Sequence, residues 1–394
     1  MVNFIEFFLQ YKAIIIFYLV IILLVVIYRK KVEIQAKIIF LFRMKFGLKA
    51  MDKFVKKYRE WVILSGYIGT GIGFIGMLFI SIMLIYSLIK IFITPEIASG
   101  VQLVLPGINV PGIGVLPFWY WLIAIFIIAT VHEFSHGIVA RAHNIPVKNT
   151  GIVLFGPIIG AFVEPDEKKM QKESDIAQYS VLAAGSFSNI LLAIVALVLF
   201  MFVLTPVFNT MVEPAGFSFS EYLSEDYPAA MNGFPKNLPI TSLNGQEITN
   251  FQDFTEIFYC VEPEEKVDFM IDGKSHSLIT TENPDNEGHA YLGITGFKNE
   301  VVVKEKFKEG LGWISYNIVL WVKDFLKWLY LLSLGIGLFN LLPLPIVDGG
   351  RMAQVALHRI KGKKKGEKHY HAIGLFFLLI LLFLLLFPYL FKLF

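Results

Sequence analysis

Cysteine and charged residues are both scarce in this sequence of 394 residues. The single cysteine, Cys260, excludes a disulfide framework and a metal site built from several thiolates. Only 17% of the residues carry a charge, against roughly 25% in an ordinary soluble domain. The net charge of +3 is too small to indicate a protein that binds nucleic acid, so we expect no such partner.

The sequence is instead rich in long runs of apolar residues. Hydrophobic residues make up 56% of the chain, and this composition excludes intrinsic disorder. A soluble fold cannot bury this much continuous apolar surface, so we predict a multi-pass protein of the cell membrane. Four stretches without any charged side chain each reach the ~20 residues that span a bilayer, namely Trp61–Ile89, Ile97–Val131, Ile176–Val212 and Ala372–Phe391.

The alternation of runs and loops predicts a polytopic α-helical membrane protein with about six spans. Loops 29–60, 141–175 and 351–371 are rich in Lys and Arg, which assigns them to the cytoplasm. Both termini, the loop 90–117 and residues 207–310 then lie outside. The first span lacks a cleavage site, so we expect it to be retained. The predicted spans lie near residues 12–28, 62–89, 118–141, 176–204, 325–346 and 372–391.

Residues 207–310 have the composition of a separate, soluble α+β domain, with mixed charge and many Asn-Gly or Asp-Gly turns. The runs Lys266–Ile271 and His276–Thr280 alternate as strands do. Phe251–Tyr259 is typical of a helix, and Asn250 precedes it as an N-cap. The predicted parts of the chain are the N-terminal spans and basic loop 1–117, the membrane core 118–206, the extracytoplasmic domain 207–305, and the remaining core with the last span 306–394.

The sequence His132-Glu133-Phe134-Ser135-His136 ends a charge-free helix. An i, i+4 spacing puts both imidazoles on one helix face, where they can hold one Zn²⁺. Glu133 is placed to take a proton from water without being a ligand itself. Ionisable residues at membrane depth are expensive and tend to be functional. We therefore predict one zinc ion per chain, with Glu133 as the general base.

Two further polar residues complete the predicted site. Asp348 follows two prolines and precedes two glycines at the end of the fifth span, at the depth expected for His132 and His136, so it is our candidate for the third ligand. Asn189 lies within the fourth span, four residues after Gly185. Its amide either donates to the oxyanion or scissile carbonyl, or makes an interhelical hydrogen bond.

These motifs together resemble the site-2 protease family of intramembrane zinc metalloproteases, over about residues 118–360. The stretch 132–136 is similar to the family's HExxH, and Asn340–Gly349 is similar to its N-x-x-P-x-P-x-x-D-G. Gly185–Asn189 is similar to its G-x-x-x-N, with Ser186 in place of the usual proline. The resemblance implies the ligands and base named above, and it implies that Asn189 and Asn340 position the substrate. It also implies that the substrates are transmembrane segments of membrane-tethered regulators, already trimmed by another protease.

The resemblance extends to two further segments. Gly151–Glu164 is similar to the family's membrane re-entrant β-loop, whose edge, which includes Gly160, can pair with an unwound substrate strand. The outside domain is similar to an inserted PDZ domain. In that comparison Tyr291 and Gly293 belong to the loop that binds a peptide carboxylate, although a plain core strand explains this loop equally well.

Other classes of function stay open at this point. A membrane-anchored zinc protease with a soluble active site needs a third ligand near the HExxH, and residues 141–175 offer only Glu164. A zinc or ion transporter would spread its ligands over several helices near the bilayer midplane, whereas here they collect at one side. A non-catalytic scaffold is disfavoured by the presence of Glu133.

Overall fold

The structure is a computed structural model that describes residues 4–29, 32–35, 39–93, 104–110, 113–155, 158–284 and 286–391. Part of the predicted outside loop 90–117 and the tip of the predicted re-entrant loop, at 156–157, lie outside the described residues. The chain divides into two compact units. The first consists of Met1–Val198 and Phe325–Phe394, and the second of Leu199–Asp324.

Most of the first unit is helical, and the second unit contains shorter helices. The helices are α1 (Phe4–Ile27), α2 (Leu48–Ile93), α3 (Phe118–Ala142), α4 (Glu167–Met170), α5 (Asp175–Leu199), α6 (Thr205–Met211), α7 (Pro228–Met231), α8 (Phe251–Phe258), α9 (Gly310–Phe339), α10 (Asp348–Lys361) and α11 (Lys363–Phe391).

Among the described residues, the first unit has a four-stranded sheet and the two-stranded pair β3–β4, and the second unit has a six-stranded sheet and the pairs β13–β14 and β8–β15. The strands are β1 (Val32–Gln35), β2 (Ile39–Met44), β3 (Asn109–Val110), β4 (Gly114–Val115), β5 (Val147–Phe155), β6 (Ile158–Pro165), β7 (Val212–Ser218), β8 (Glu221–Tyr222), β9 (Ile240–Leu243), β10 (Gln246–Glu247), β11 (Lys266–Ile271), β12 (Lys274–Ile279), β13 (Thr281–Asn283), β14 (Asn286–Tyr291), β15 (Ile294–Thr295) and β16 (Lys298–Val303).

Four helical stretches among the described residues are long and apolar enough to cross a membrane. They are α2, α3, the run from α5 to α6, and α11, and they identify the chain as a membrane protein. The apolar part of α1 is shorter. In α9, three charged residues interrupt the apolar run, so this helix is not among the four: Lys323, Asp324 and Lys327.

Two of the predicted basic loops, 29–60 and 351–371, consist largely of helix or strand in the structure. Helix α2 begins at Leu48 and bends at Tyr58, where the backbone leaves the helical region (φ −123°, ψ 26°). Helix α10 and the start of α11 occupy most of the predicted loop 351–371. Sequence reasoning ended the spans where charge appears, but Lys, Arg and Glu are good helix formers, so the helices continue beyond the apolar runs.

The sheet of the first unit has the antiparallel order β1-β2-β5-β6. The hairpin of β5 and β6 was expected from Gly151–Glu164, whereas β1 and β2 were not, because they lie in a segment whose charge suggested a loop. Strand β6 packs against α3 at Gly160, where an added Cβ would lie 3.7 Å from the Cβ of Ala129. The sheet therefore reaches the helix that carries both histidines.

Small residues bring the helices of the first unit close together. An added Cβ at Gly66 would lie 3.0 Å from Ser180 on α5, and one at Gly73 would lie 3.2 Å from Ala183. One at Gly76 would lie 2.5 Å from Leu341. Gly66, Gly73 and Gly76 of α2 are thus points of close packing.

The second unit has an antiparallel sheet of order β12-β11-β9-β7-β16, with β10 paired to β9. Its core is aromatic and aliphatic, with Phe217, Phe269 and Leu243 fully buried. The strand predicted at 266–271 is confirmed as β11. The predicted helix is confirmed as α8, where the side chain of Asn250 accepts hydrogen bonds from the main-chain N–H groups of residues 252 and 253 at 2.8 and 3.1 Å.

We predict that Gly151→Ala destabilises the first unit. Its Cβ would lie 2.1 Å from the main-chain oxygen of Phe42 and 2.5 Å from the ring of Phe162, so β2 must move away from β5. A loss of about 1–3 kcal/mol is expected, measured as a lower midpoint of thermal unfolding in detergent. Gly71→Ala is the control, because nothing lies within 4 Å of its added Cβ. Equal midpoints for both variants would contradict this account of the sheet.

Candidate metal site

Helix α3 places the two histidines of the HExxH side by side. Both are buried, with 9% of their surface exposed, and their Nε2 atoms lie 3.1 Å apart. An added Cβ at Gly185 of α5 would lie 2.4 Å from Nε2 of His136 and 2.5 Å from Nε2 of His132. Only glycine at this position leaves room for both rings, which explains the glycine that begins the G-x-x-x-N stretch.

Asp348 approaches the histidines from the first turn of α10. The turn before it is closed by a hydrogen bond from the N–H of Gly349 to the main-chain oxygen of Asn340, 2.8 Å long. Added Cβ atoms at Gly349 and Gly350 would lie 2.2 and 1.8 Å from main-chain oxygens of the preceding loop. The two glycines therefore allow the tight packing that turns the carboxylate inward.

The three side chains form a tripod around one point. Oδ2 of Asp348 lies 3.1 Å from Nε2 of His132 and 3.3 Å from Nε2 of His136. Among the described residues, this buried oxygen accepts no hydrogen bond of good geometry. Ligand atoms at about 2.0–2.1 Å from a tetrahedral zinc ion lie about 3.3 Å from one another. The tripod thus fits zinc in spacing and in the chemistry of its donor atoms.

One histidine is oriented by a main-chain group. Nδ1 of His136 lies 2.6 Å from the main-chain oxygen of Val181 on α5 and donates to it. This bond keeps the proton on Nδ1 and leaves the lone pair of Nε2 directed at the tripod. Sequence reasoning missed Val181, because a carbonyl partner leaves no signature in residue type.

The second histidine contacts Asn189, whose side chain is fully buried. The amide nitrogen lies 3.1 Å from Nδ1 of His132, and Oδ1 of Asn189 has no partner among the described residues. With the amide rotated by half a turn, Oδ1 of Asn189 accepts the Nδ1 proton of His132. In that orientation Nε2 of His132 is free to bind a metal, as Nε2 of His136 is.

Glu133 lies beside the tripod and against the sheet. Its Oε2 accepts a hydrogen bond from the N–H of Val163 in β6, 3.1 Å long. It lines a cavity of about 120 Å³ together with His136 and Asp348. This volume is large enough to admit water beside Glu133.

Glu164 follows Val163 and is held by the sheet. Nη2 of Arg43 on β2 donates to its carboxylate at 2.7 Å, and Nδ2 of Asn149 on β5 donates at 2.8 Å. Hydrogen bonds from the Arg43 guanidinium hold the pKa of Glu164 below its usual range. A carboxylate with a low pKa and two partners is a poor proton acceptor, so Glu133 is the better candidate for the base.

The remaining predicted residues lie in two places. Gly160 is buried on β6 between Val153 and α3, and the main chain of Asn340 closes the turn before Asp348. Tyr291 and Gly293 belong to the second unit. The ring of Tyr291 packs edge-on against Tyr227 at 5.1 Å, and Gly293 adopts φ +74° where an added Cβ would meet Tyr227 at 2.1 Å.

The apolar helices and the buried tripod define a membrane protein with the geometry of a zinc site. Comparison with known proteins agrees, because the profile of Peptidase family M50 matches residues 120–385. The chain belongs to this family, the site-2 proteases, and the resemblance stated from the motifs is confirmed. Membership implies zinc as the metal.

Three relatives show how similar individual proteins are to this chain. An uncharacterised protein of Methanocaldococcus jannaschii is 28% identical over 320 residues, which cover 79% of this chain and 76% of the relative. Zinc metalloprotease RasP of Oceanobacillus iheyensis is 24% identical over 41% of this chain and 48% of its own length. RasP of Geobacillus kaustophilus is 41% identical, over 14% of each chain.

We predict that Asn189→Leu weakens zinc binding by about 10- to 100-fold, as loss of a partner to a metal-binding histidine commonly does. Asn189→Asp should retain zinc, because a carboxylate accepts the Nδ1 proton of His132. Affinity is measured by competition with a coloured chelator. Thr130→Ala is the control, since Oγ1 of Thr130 donates to the main-chain oxygen of Phe126, 2.7 Å away, on the same helix. Wild-type affinity in Asn189→Leu would show that the amide does not orient the histidine.

Proposed function

We propose that the protein is a zinc-dependent endopeptidase that cleaves transmembrane segments of membrane-tethered regulatory proteins after an earlier trimming step. The observation that carries this proposal is the tripod of His132, His136 and Asp348 with Glu133 beside it, at the end of an apolar helix. We assign one zinc ion per chain to these three ligands. A zinc ion held there supplies Lewis-acid activation of water and of the scissile carbonyl.

The residues of the chain carry the rest of the chemistry. Glu133 takes a proton from the attacking water and passes it to the departing amine, which is the general base and acid role. Its hydrogen bond to Val163 fixes the carboxylate beside the tripod. Asn189 acts through His132, as a positioning residue, and Asn340 shapes the turn of Asp348.

Strand β6 is our candidate for the substrate platform. It lies at one end of the sheet order, and the N–H of Val163 points away from β5 toward Glu133. By the two-residue period of a strand, Ala161 and Ile159 direct their main-chain groups to the same edge. If a substrate strand paired along this edge, its peptide bonds would lie next to Glu133. Gly160, between these residues, keeps the strand close to α3.

The topology that accompanies this function has six spans and a re-entrant β5–β6 hairpin. The basic loops and the zinc site lie toward the cytoplasm, and residues 207–305 form a PDZ-like domain outside the cell membrane. The four parts 1–117, 118–206, 207–305 and 306–394 follow from this arrangement. In it, Tyr291 and Gly293 bind the new carboxylate of a trimmed substrate.

The two competing functions are less well supported. A soluble active site needs Glu164 or a neighbour as the third ligand, but Glu164 is engaged by Arg43 and Asn149. A transporter needs further ligands along a path, and among the described residues the only group of three or more side chains spaced for a metal is the tripod.

The test of the proposal is Glu133→Gln in purified protein reconstituted with a transmembrane peptide substrate. We expect zinc content and folding to be kept and cleavage to be abolished, because the amide cannot accept a proton. Glu164→Gln is the matched control and should retain cleavage. Cleavage by Glu133→Gln at more than a few per cent of the wild-type rate would refute the assigned base, and no cleavage by wild-type protein loaded with zinc would refute the function.

The proposed role of the outside domain is to exclude substrates that still carry a bulky ectodomain. Replacing most of residues 215–300 by a short Gly/Ser linker should preserve cleavage of short substrates and permit cleavage of untrimmed ones. Both are measured by gel shift of tagged substrates in liposomes. A folded, zinc-loaded deletion variant that cleaves no short substrate would show that the domain belongs to the catalytic assembly.

A further inference from the structure

The corner between α10 and α11 concentrates positive charge. The two helices meet at Gly362, which adopts φ +72°. Each of the basic side chains around it is exposed, and so is Ile360, at 75%. The basic residues of the corner are Arg359, Lys361, Lys363, Lys364, Lys365 and Lys368.

Most of this charge has no partner among the described residues. Among the described residues, the five lysines of the corner form no ion pair with a carboxylate, and Arg359 reaches Asp175 only at 3.5 Å. Glu367 is the one acid in the segment, and other groups already occupy it. His358 and His371 contact its two oxygens at 2.7 and 3.0 Å. The corner therefore presents cations that an external anion can neutralise.

The position of the corner along α11 suits the headgroup layer of a bilayer. The charge-free part of α11 begins at Ala372, and Leu375, Phe376 and Leu379 are exposed on it as lipid-facing side chains would be. Lys368 and Lys363 precede Ala372 by four and nine residues, which is about 6 and 13 Å along a helix. Headgroups extend roughly 5–8 Å beyond the hydrocarbon, and the Debye length adds about 8 Å, so these charges act on lipid phosphates.

A polar cavity of about 590 Å³ opens at the same corner. Arg359, Lys363 and His358 line it together with uncharged amide side chains, Gln171, Gln178 and Gln354. Arg359 and His358 are already paired with the two acids of the cavity, Asp175 and Glu367. The cavity thus offers the cation of Lys363, unpaired among the described residues, beside amide donors in a concave surface, which suits a phosphate-bearing headgroup.

We propose that the α10–α11 corner binds the headgroups of anionic phospholipids. Clustered lysines next to a spanning helix attract anionic lipids, and exposed Ile360 supplies an apolar contact with the membrane surface. The partner is the anionic leaflet itself, recognised by phosphate charge. This inference concerns a surface apart from the tripod, and it holds whether or not the protein is a protease.

The test uses the full chain in bilayer nanodiscs of phosphatidylcholine with about one part in four phosphatidylglycerol. A donor fluorophore is attached through Ala372→Cys in a Cys260→Ser background, and energy transfer is measured to acyl-labelled phosphatidylglycerol or to acyl-labelled phosphatidylcholine. We expect transfer to phosphatidylglycerol to exceed transfer to phosphatidylcholine about twofold. In roughly 0.5 M KCl, where the Debye length falls to about 4 Å, the preference should largely disappear without any further substitution.

Two triple variants complete the design. Lys363→Gln/Lys364→Gln/Lys365→Gln should bring the ratio of the two transfers close to one. Lys266→Gln/Lys274→Gln/Lys306→Gln removes the same charge from the second unit and should leave the ratio unchanged. Equal transfer to both lipids in the wild type, an unchanged ratio in the corner variant, or an unchanged ratio in high salt would overturn the proposal. Loss of the preference in millimolar inorganic phosphate at constant ionic strength would assign the corner to free phosphate instead.

Discussion

The convergence of two histidines and one aspartate within an apolar helix bundle is the constraint on which the first unit depends. Ionisable side chains in such a place are costly unless specific partners hold them. The surrounding residues are arranged accordingly. Gly185 leaves space for both rings, Gly349 and Gly350 bring the turn of Asp348 against its own loop, and the oxygen of Val181 fixes one tautomer.

The proposed chemistry also requires a carboxylate that lies near the tripod but is not one of its three members. The sheet holds Glu133 in that position. Val163 supplies the hydrogen bond that keeps Glu133 in place, and Val163 is in turn part of an edge strand. Arg43 reaches across the sheet to Glu164, the neighbour of Val163. Strand β2, which lies outside the part of the chain matched by the family profile, is therefore tied to the strand that holds Val163.

The sequence was most informative where function depends on short-range spacing. An i, i+4 pair needs only one helix, so the juxtaposition of His132 and His136 could be predicted, and the glycines after Asp348 signalled a turn. The clustering of charge in residues 29–60 concealed β1 and β2. Strand β1 pairs with β2, and β2 pairs in turn with β5, which is more than a hundred residues away in the sequence. The roles of Val181 and Val163 could not be predicted either, because both act through main-chain atoms.

The most direct measurement of the central claim is zinc X-ray absorption of the purified, metal-loaded protein, with zinc counted per chain. Wild-type protein should hold one zinc ion with nitrogen and oxygen ligands at about 2.0–2.1 Å, including the multiple-scattering signature of two imidazoles. Asp348→Ala should lose one oxygen ligand and bind zinc at least about 10-fold more weakly. A spectrum with one imidazole or none, or a spectrum and affinity unchanged by Asp348→Ala, would contradict the tripod as the zinc site.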